Sequence, residues 1–141
     1  MWRTDARNDP RLQGAAELAK ALAHPVRIRL LALVRDEELC ACQLAALVGL
    51  APSTVSAHVA ELRRAGLVEQ EKRGRWVYSR LTRDGERAEL ARRILAFTAE
   101  DPQVRDDLAK AAALRCHAPG ELCRAGLDLS ALGIPAPPAN D

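Results

Sequence analysis

Aromatic residues are scarce. Trp, Tyr and Phe make up 3% of 141 residues, so a hydrophobic share of 48% rests mainly on Leu, Ala and Val. Ala and Leu are strong helix formers, which points to a mostly helical core. No apolar run is long enough to cross a bilayer. The opening Met-Trp-Arg-Thr-Asp-Ala-Arg-Asn-Asp lacks the apolar centre of a secretory signal. A cytoplasmic protein with no membrane partner is expected. No Gly-rich phosphate loop, Ser/His/Asp set or usefully spaced carboxylate pair is found. No catalytic residue is assigned, and neither an enzyme nor a small organic substrate is expected.

Charge is unremarkable overall, at +2, but uneven along the chain. From Arg63 to Arg93 there are ten basic residues and five acidic ones, a local net charge of +5. Such an excess fits a polyanionic partner or an Arg-rich solvated face.

The length predicts one small domain with loose ends. Residues 1–13 are polar and read as a flexible N-terminus. Residues 14–100 read as the main domain, 101–133 as a helical, cysteine-containing extension, and 134–141 as a disordered tail. Leu18 and Leu22 share a face of a first helix. Pro25 opens a second, with Val26, Leu30, Leu33 and Val34 at helical spacing. A short third helix covers about 41–48 and ends at Gly49, where a left-handed residue belongs. After Leu50-Ala51-Pro52, Ser53 is expected to cap a fourth helix. Val55, Val59 and Leu62 form its apolar stripe.

The period then changes to two. Residues 67–71 and 75–81 read as short strands around Lys72-Arg73-Gly74, with Gly74 suited to positive φ. A fifth helix, about 84–99, carries Leu90, Ile94 and Phe97 on one side. Beyond Pro102 a weaker sixth helix covers about 103–114, and order past His117 is doubtful.

Two short helices joined by a glycine turn, then a basic hairpin, describe a winged helix-turn-helix: a mostly α fold with a small β-hairpin. A helix with a small polar face fits the major groove. Ser53, Thr54 and Ser56 can meet base edges, His58 a base or a phosphate, and Arg63 and Arg64 the backbone. Lys72, Arg73 and Arg75 form a compact basic tip suited to phosphates or the minor groove. Double-stranded DNA is the expected partner. For His58 a surface histidine without a role is a comparable alternative.

Four cysteines remain: Cys40, Cys42, Cys116 and Cys123. A structural disulfide framework is not expected in a reducing cytoplasm. Metal binding, redox sensing and plain burial stay open.

Ala23-His24-Pro25-Val26-Arg27-Ile28-Arg29-Leu30-Leu31 resembles the second-helix signature of the ArsR/SmtB family. Pro52-Ser53-Thr54-Val55-Ser56-Ala57-His58-Val59, with Ala65-Gly66-Leu67-Val68 and Gly74-Arg75-Trp76-Val77-Tyr78, resembles its recognition helix and wing. The resemblance covers about residues 15–100. It implies a homodimeric metalloregulatory repressor that pairs through its first and fifth helices and binds an inverted-repeat operator. Dimerisation also lets two recognition helices meet successive major grooves.

Glu38-Leu39-Cys40-Ala41-Cys42-Gln43-Leu44 resembles the family's arsenic-site motif. The implied inducer is As(III) or Sb(III), held by Cys40 and Cys42. Soft thiolates suit thiophilic ions, and a helix N-terminus lowers a thiol's pKa. Two features strain this expectation. Residues i and i+2 on a regular helix do not face each other, so the helix start must loosen. Some members also carry a third cysteine three positions after the second, where this chain has Ala45. Cys116 and Cys123 are the internal candidates for a third sulfur; a small thiol is the external one.

Cd(II), Pb(II) and Zn(II) are rival ligands. The fifth-helix histidines used by zinc, nickel and cobalt sensors of the family are missing here. Cadmium and lead sensors also use thiolates, often with an N-terminal cysteine, and residues 1–39 contain none. A thiol redox switch is a further rival, although a bridge within Cys-x-Cys would be strained.

Overall fold

The computed structural model describes residues 10–83 and 85–135. Most of the expected flexible N-terminus and most of the expected tail lie outside the described residues. Helix α1 spans Pro10–Leu22 and therefore starts earlier than its Leu18/Leu22 pattern suggests. α2 spans Pro25–Leu33. His24 caps it, with Nδ1 accepting from the Val26 N–H at 3.1 Å, and Pro25 occupies the first turn, where its missing N–H costs nothing.

Strand β1, Leu39–Cys40, leads directly into α3, Ala41–Val48. Gly49 follows with φ 72°, a left-handed conformation that a side chain would resist. The chain bends by 110° into α4, Pro52–Arg64, as a helix-turn-helix requires. The cap of α4 differs from expectation. Ala51 is the N-cap and Pro52 the first helical residue, so Ser53 lies inside the first turn. Proline's preference for that first position sets the boundary.

β2 (Val68–Arg73) and β3 (Trp76–Leu81) form the hairpin, turning at Gly74 with φ 61°. β1 adds to it as a third strand, giving the order β1-β3-β2, all antiparallel. Two residues are too few for periodicity to reveal, so this strand had no sequence signal.

α5 spans Gly85–Phe97 and α6 Pro102–Leu114, the latter capped by Asp101 at 2.8 Å from the Gln103 N–H. α5 buries Ala88, Ala91 and Leu95. The larger residues expected to form its apolar side turn outward: Leu90 is 39% and Phe97 91% exposed. Where order was doubtful, α7 (Pro119–Arg124) and a 3-10 turn (Leu129–Leu132) form.

Leu31, Leu44, Leu47, Leu62 and Leu67 are fully buried at the centre, together with Leu114, Leu122 and Leu129 from the C-terminal extension. The extension thus shares the main core. Arg29 on α2 fixes it further, forming a buried two-point ion pair with Asp107 on α6 at 2.8 and 3.0 Å. Gln103 Nε2 donates to the same carboxylate at 2.9 Å. Among the described residues no single helix is long and apolar enough to cross a membrane.

Candidate functional site

Burial of Val55, Val59 and Leu62 anchors α4 and fixes its rotation. Ser53, Thr54 and Ser56 consequently stand exposed on its outer face. Arg63 and Arg64 are exposed in the last turn, where cations complement the helix dipole. Arg63 donates to Gln70 on β2 at 3.2 Å, and Arg64 pairs with Glu61.

His58 is half-buried and engaged within the fold. Its Nδ1 accepts from Arg27 Nε at 3.2 Å, and its ring centroid lies 4.4 Å from that of His24. Burial, with the nearby His24 and Arg27 charges, holds its pKa below the ordinary histidine value. A neutral ring accepting at Nδ1 carries its proton on Nε2. His24 and Arg27 had no assigned role in the sequence; their partnership with a residue 31 or more positions away left no local signal.

Lys72, Arg73 and Arg75 are all exposed at the hairpin tip. Arg73 forms a two-point ion pair with Glu38 and a second pair with Glu71 at 2.8 Å. Its guanidinium also lies 4.7 Å from the Tyr78 ring centroid. The Arg73 hydrogen bond pulls the Glu38 carboxyl below the usual range. Arg75 lies over Trp76 at 4.7 Å.

Cys40 is not inside a helix. It is the extended last residue of β1 and the N-cap of α3, with φ −81° and ψ 162°. The restriction on i and i+2 within a regular helix therefore does not apply to Cys40 and Cys42. The Cys40 N–H donates to Gln43 Oε1 at 2.9 Å, and the thiol faces the backbone N–H groups of Cys42 and Gln43. This is a capping box with cysteine in the serine position, a pattern readable as Cys-x-x-Gln. Cys40 is 1% exposed, and burial pushes its thiol pKa up.

Cys42, two residues further and inside α3, is half-buried. Burial, then neighbouring Cys123 and Cys40, pushes its pKa up to about 11, against a smaller opposing effect of Arg75. The expected lowering by the helix N-terminus is thus outweighed by desolvation.

The two distal cysteines separate. Cys123 on α7 brings its Sγ to 3.8 Å from Cys42 Sγ. Cys116 is exposed two residues past α6, its Sγ donating to Ala112 O at 3.9 Å, while the sulfur contact to Cys42 is made by Cys123. Its neighbour His117 pairs with Glu121 at 2.6 Å. Among the described residues no three His, Cys, Asp or Glu side chains stand together in a metal-holding arrangement.

Cys40 and the wing share one sheet. Cys40 is the register partner of Tyr78 on β3, and Leu39 that of Ser79. The residue joining them most directly, Glu38, was missed in the sequence because its partner Arg73 lies 35 positions away.

Comparison with known proteins bears on these features. Residues 24–70 match the model of the bacterial regulatory protein, arsR family. The chain is 41% identical over 63 residues to the arsenic resistance transcriptional regulator ArsR1 of Pseudomonas putida, covering 44% of this chain and 49% of that one. It is 36% identical over 97 residues to the HTH-type transcriptional regulator Rv0081 of Mycobacterium tuberculosis, covering 67% of this chain and 85% of that one. The solved homodimeric winged helix-turn-helix DNA-binding domain Mb0332 of Mycobacterium bovis superimposes with a TM-score of 0.60 at 27% identity, over 72% of this chain and 94% of that domain. The chain spans about half the length of some curated relatives, the Pseudomonas regulator among them. The fold is a winged helix-turn-helix, and the chain belongs to the arsR family of bacterial regulatory proteins.

Proposed function

We propose that this protein is a homodimeric DNA-binding repressor of the cytoplasm, released from its operator when Cys40 and Cys42 bind trivalent arsenic or antimony. α4 would enter the major groove with Ser53, Thr54 and Ser56 toward base edges, while Arg63, Arg64, Lys72, Arg73 and Arg75 meet phosphates. Leu12 on α1 and Phe97 on α5, 71% and 91% exposed, are apolar side chains that a pairing surface built from these two helices would cover.

The observation that carries this reading is the β1–β3 pairing, which sets Cys40 opposite Tyr78 on the wing. A ligand that draws Cys40 and Cys42 together must disturb either that pairing or the cap of α3. α3 braces α4, so both DNA-contacting parts lie one element from the cysteines. The ligand must favour the DNA-incompetent form, and DNA must weaken the ligand by the same factor. A coupling of about 1–3 kcal/mol is sufficient.

The thiol environment favours arsenic over divalent cations. Cd(II), Pb(II) or Zn(II) must displace thiol protons into solvent, and a pKa raised to about 11 makes that costly at neutral pH. The hydroxyl groups of arsenite accept those protons and leave as water. The test is a gel-shift titration on a duplex selected by the protein from a random pool, with arsenite, antimonite, cadmium, lead, zinc and peroxide. Arsenite and antimonite should release DNA at the lowest concentrations. Release by zinc alone, or by peroxide alone, contradicts the reading.

A further inference from the structure

We infer that Cys42 and Cys123 form an intrachain two-sulfur clamp for a trivalent arsenical that carries one organic substituent. The inference rests on the arsenical reading above and narrows it. Cys123 lies in the C-terminal extension, beyond the residues that match the family model. Leu122 is fully buried and fixes the rotation of α7 against α3. The next residue then stands on the exposed flank, with its sulfur 3.8 Å from that of Cys42 across 81 positions of chain. Two sulfurs already in contact need little rearrangement to share one atom.

The third sulfur is in a different state. Cys40 is 1% exposed and occupied as the cap of α3, its N–H held by Gln43 and its thiol against two backbone amides. Reaching it means undoing that cap. An inorganic arsenite molecule seeks three sulfurs, whereas R–As(OH)2 is complete with two. Exposure of Cys123 leaves the solvent side open for the substituent. The reaction is a condensation: two As–O bonds break, two As–S bonds form, and each thiol proton leaves with a hydroxyl as water. Arsenic stays trivalent, so neither oxidant nor reductant enters.

The test uses the full chain, kept reduced with a phosphine, and phenylarsine oxide as probe. Intact mass and free-thiol titration should show one phenylarsenic per chain with two thiols consumed. Cys40→Ser and Cys116→Ser should keep this stoichiometry and affinity. Cys42→Ser, Cys123→Ser and Cys123→Ala should each weaken binding by about a hundredfold, the scale of losing one arm of a chelate. Unchanged affinity in both Cys123 variants, or an equal loss in Cys40→Ser, overturns the clamp. DNA release is read in parallel. Tight two-thiol binding without release by any arsenical would defeat the repressor reading and leave the clamp. Arsenite release that persists beside unchanged phenylarsine binding in Cys123→Ser would defeat the clamp and leave the repressor.

Discussion

Arg73 at the tip of the wing grips Glu38 at two points, and Glu38 stands two residues before Cys40. A residue proposed to meet DNA phosphate is therefore held, without DNA, by a carboxylate on the approach to the cysteines. Glu71 holds the same guanidinium. Phosphate must compete with both.

Glu38→Gln should consequently tighten DNA binding. The expected gain is up to about fivefold at low salt, the scale of an exposed ion pair. Arg73→Ala should weaken binding on every sequence and reduce the salt slope by about one. Fluorescence anisotropy across a salt series measures both. An unaltered slope in Arg73→Ala would remove the wing tip from the contact list.

Buried charge should make the Arg29–Asp107 pair costly to break. Arg29→Met or Asp107→Leu alone leaves one charge buried without its partner, a loss of about 3–5 kcal/mol in urea unfolding. The double variant should recover most of that loss, because the surviving charge is then gone. Equal destabilisation in single and double variants would mean that packing, not charge, sets the cost.

Cadmium and arsenite should differ in pH dependence. Burial raises the Cys42 pKa to about 11, so its thiol is protonated throughout the neutral range. Each proton expelled by Cd(II) then makes affinity rise about tenfold per pH unit between pH 6 and 8. Arsenite, which removes thiol protons as water, should vary far less. Competition titrations at three pH values decide this, and parallel slopes for the two ligands would contradict the thiol assignment.

Phe97→Glu, on the exposed side of α5, should yield a folded monomer. Sedimentation velocity should show the lower mass, with DNA affinity falling because one recognition helix cannot span two half-sites. A Phe97→Glu protein that still sediments as a dimer would move the interface elsewhere.

The helix-turn-helix and hairpin were legible because their signals are local: the Val55/Val59/Leu62 stripe, Gly49, Pro52 and the basic turn at Gly74. What the sequence hid was long-range. β1 is too short to show a period, and its pairing with β3 depends on tertiary contact. The partners of Arg73, His58 and Cys42 lie 31 to 81 positions away. Periodicity marked Leu90 and Phe97 as apolar without saying which way they face; the smaller Ala88 and Ala91 take the interior instead. Cys-x-Cys was readable as chemistry, but the capping role that withdraws Cys40 was overlooked although Gln43 sits at the right spacing.

The central claim is that the cysteines at the start of α3 control DNA release. Its most direct test follows DNA-bound protein by anisotropy during arsenite titration, for the native chain and for Cys40→Ser and Cys42→Ser. The account predicts equal initial DNA affinity in all three, with release in the native chain alone. Release at unchanged arsenite concentrations in both variants would contradict it.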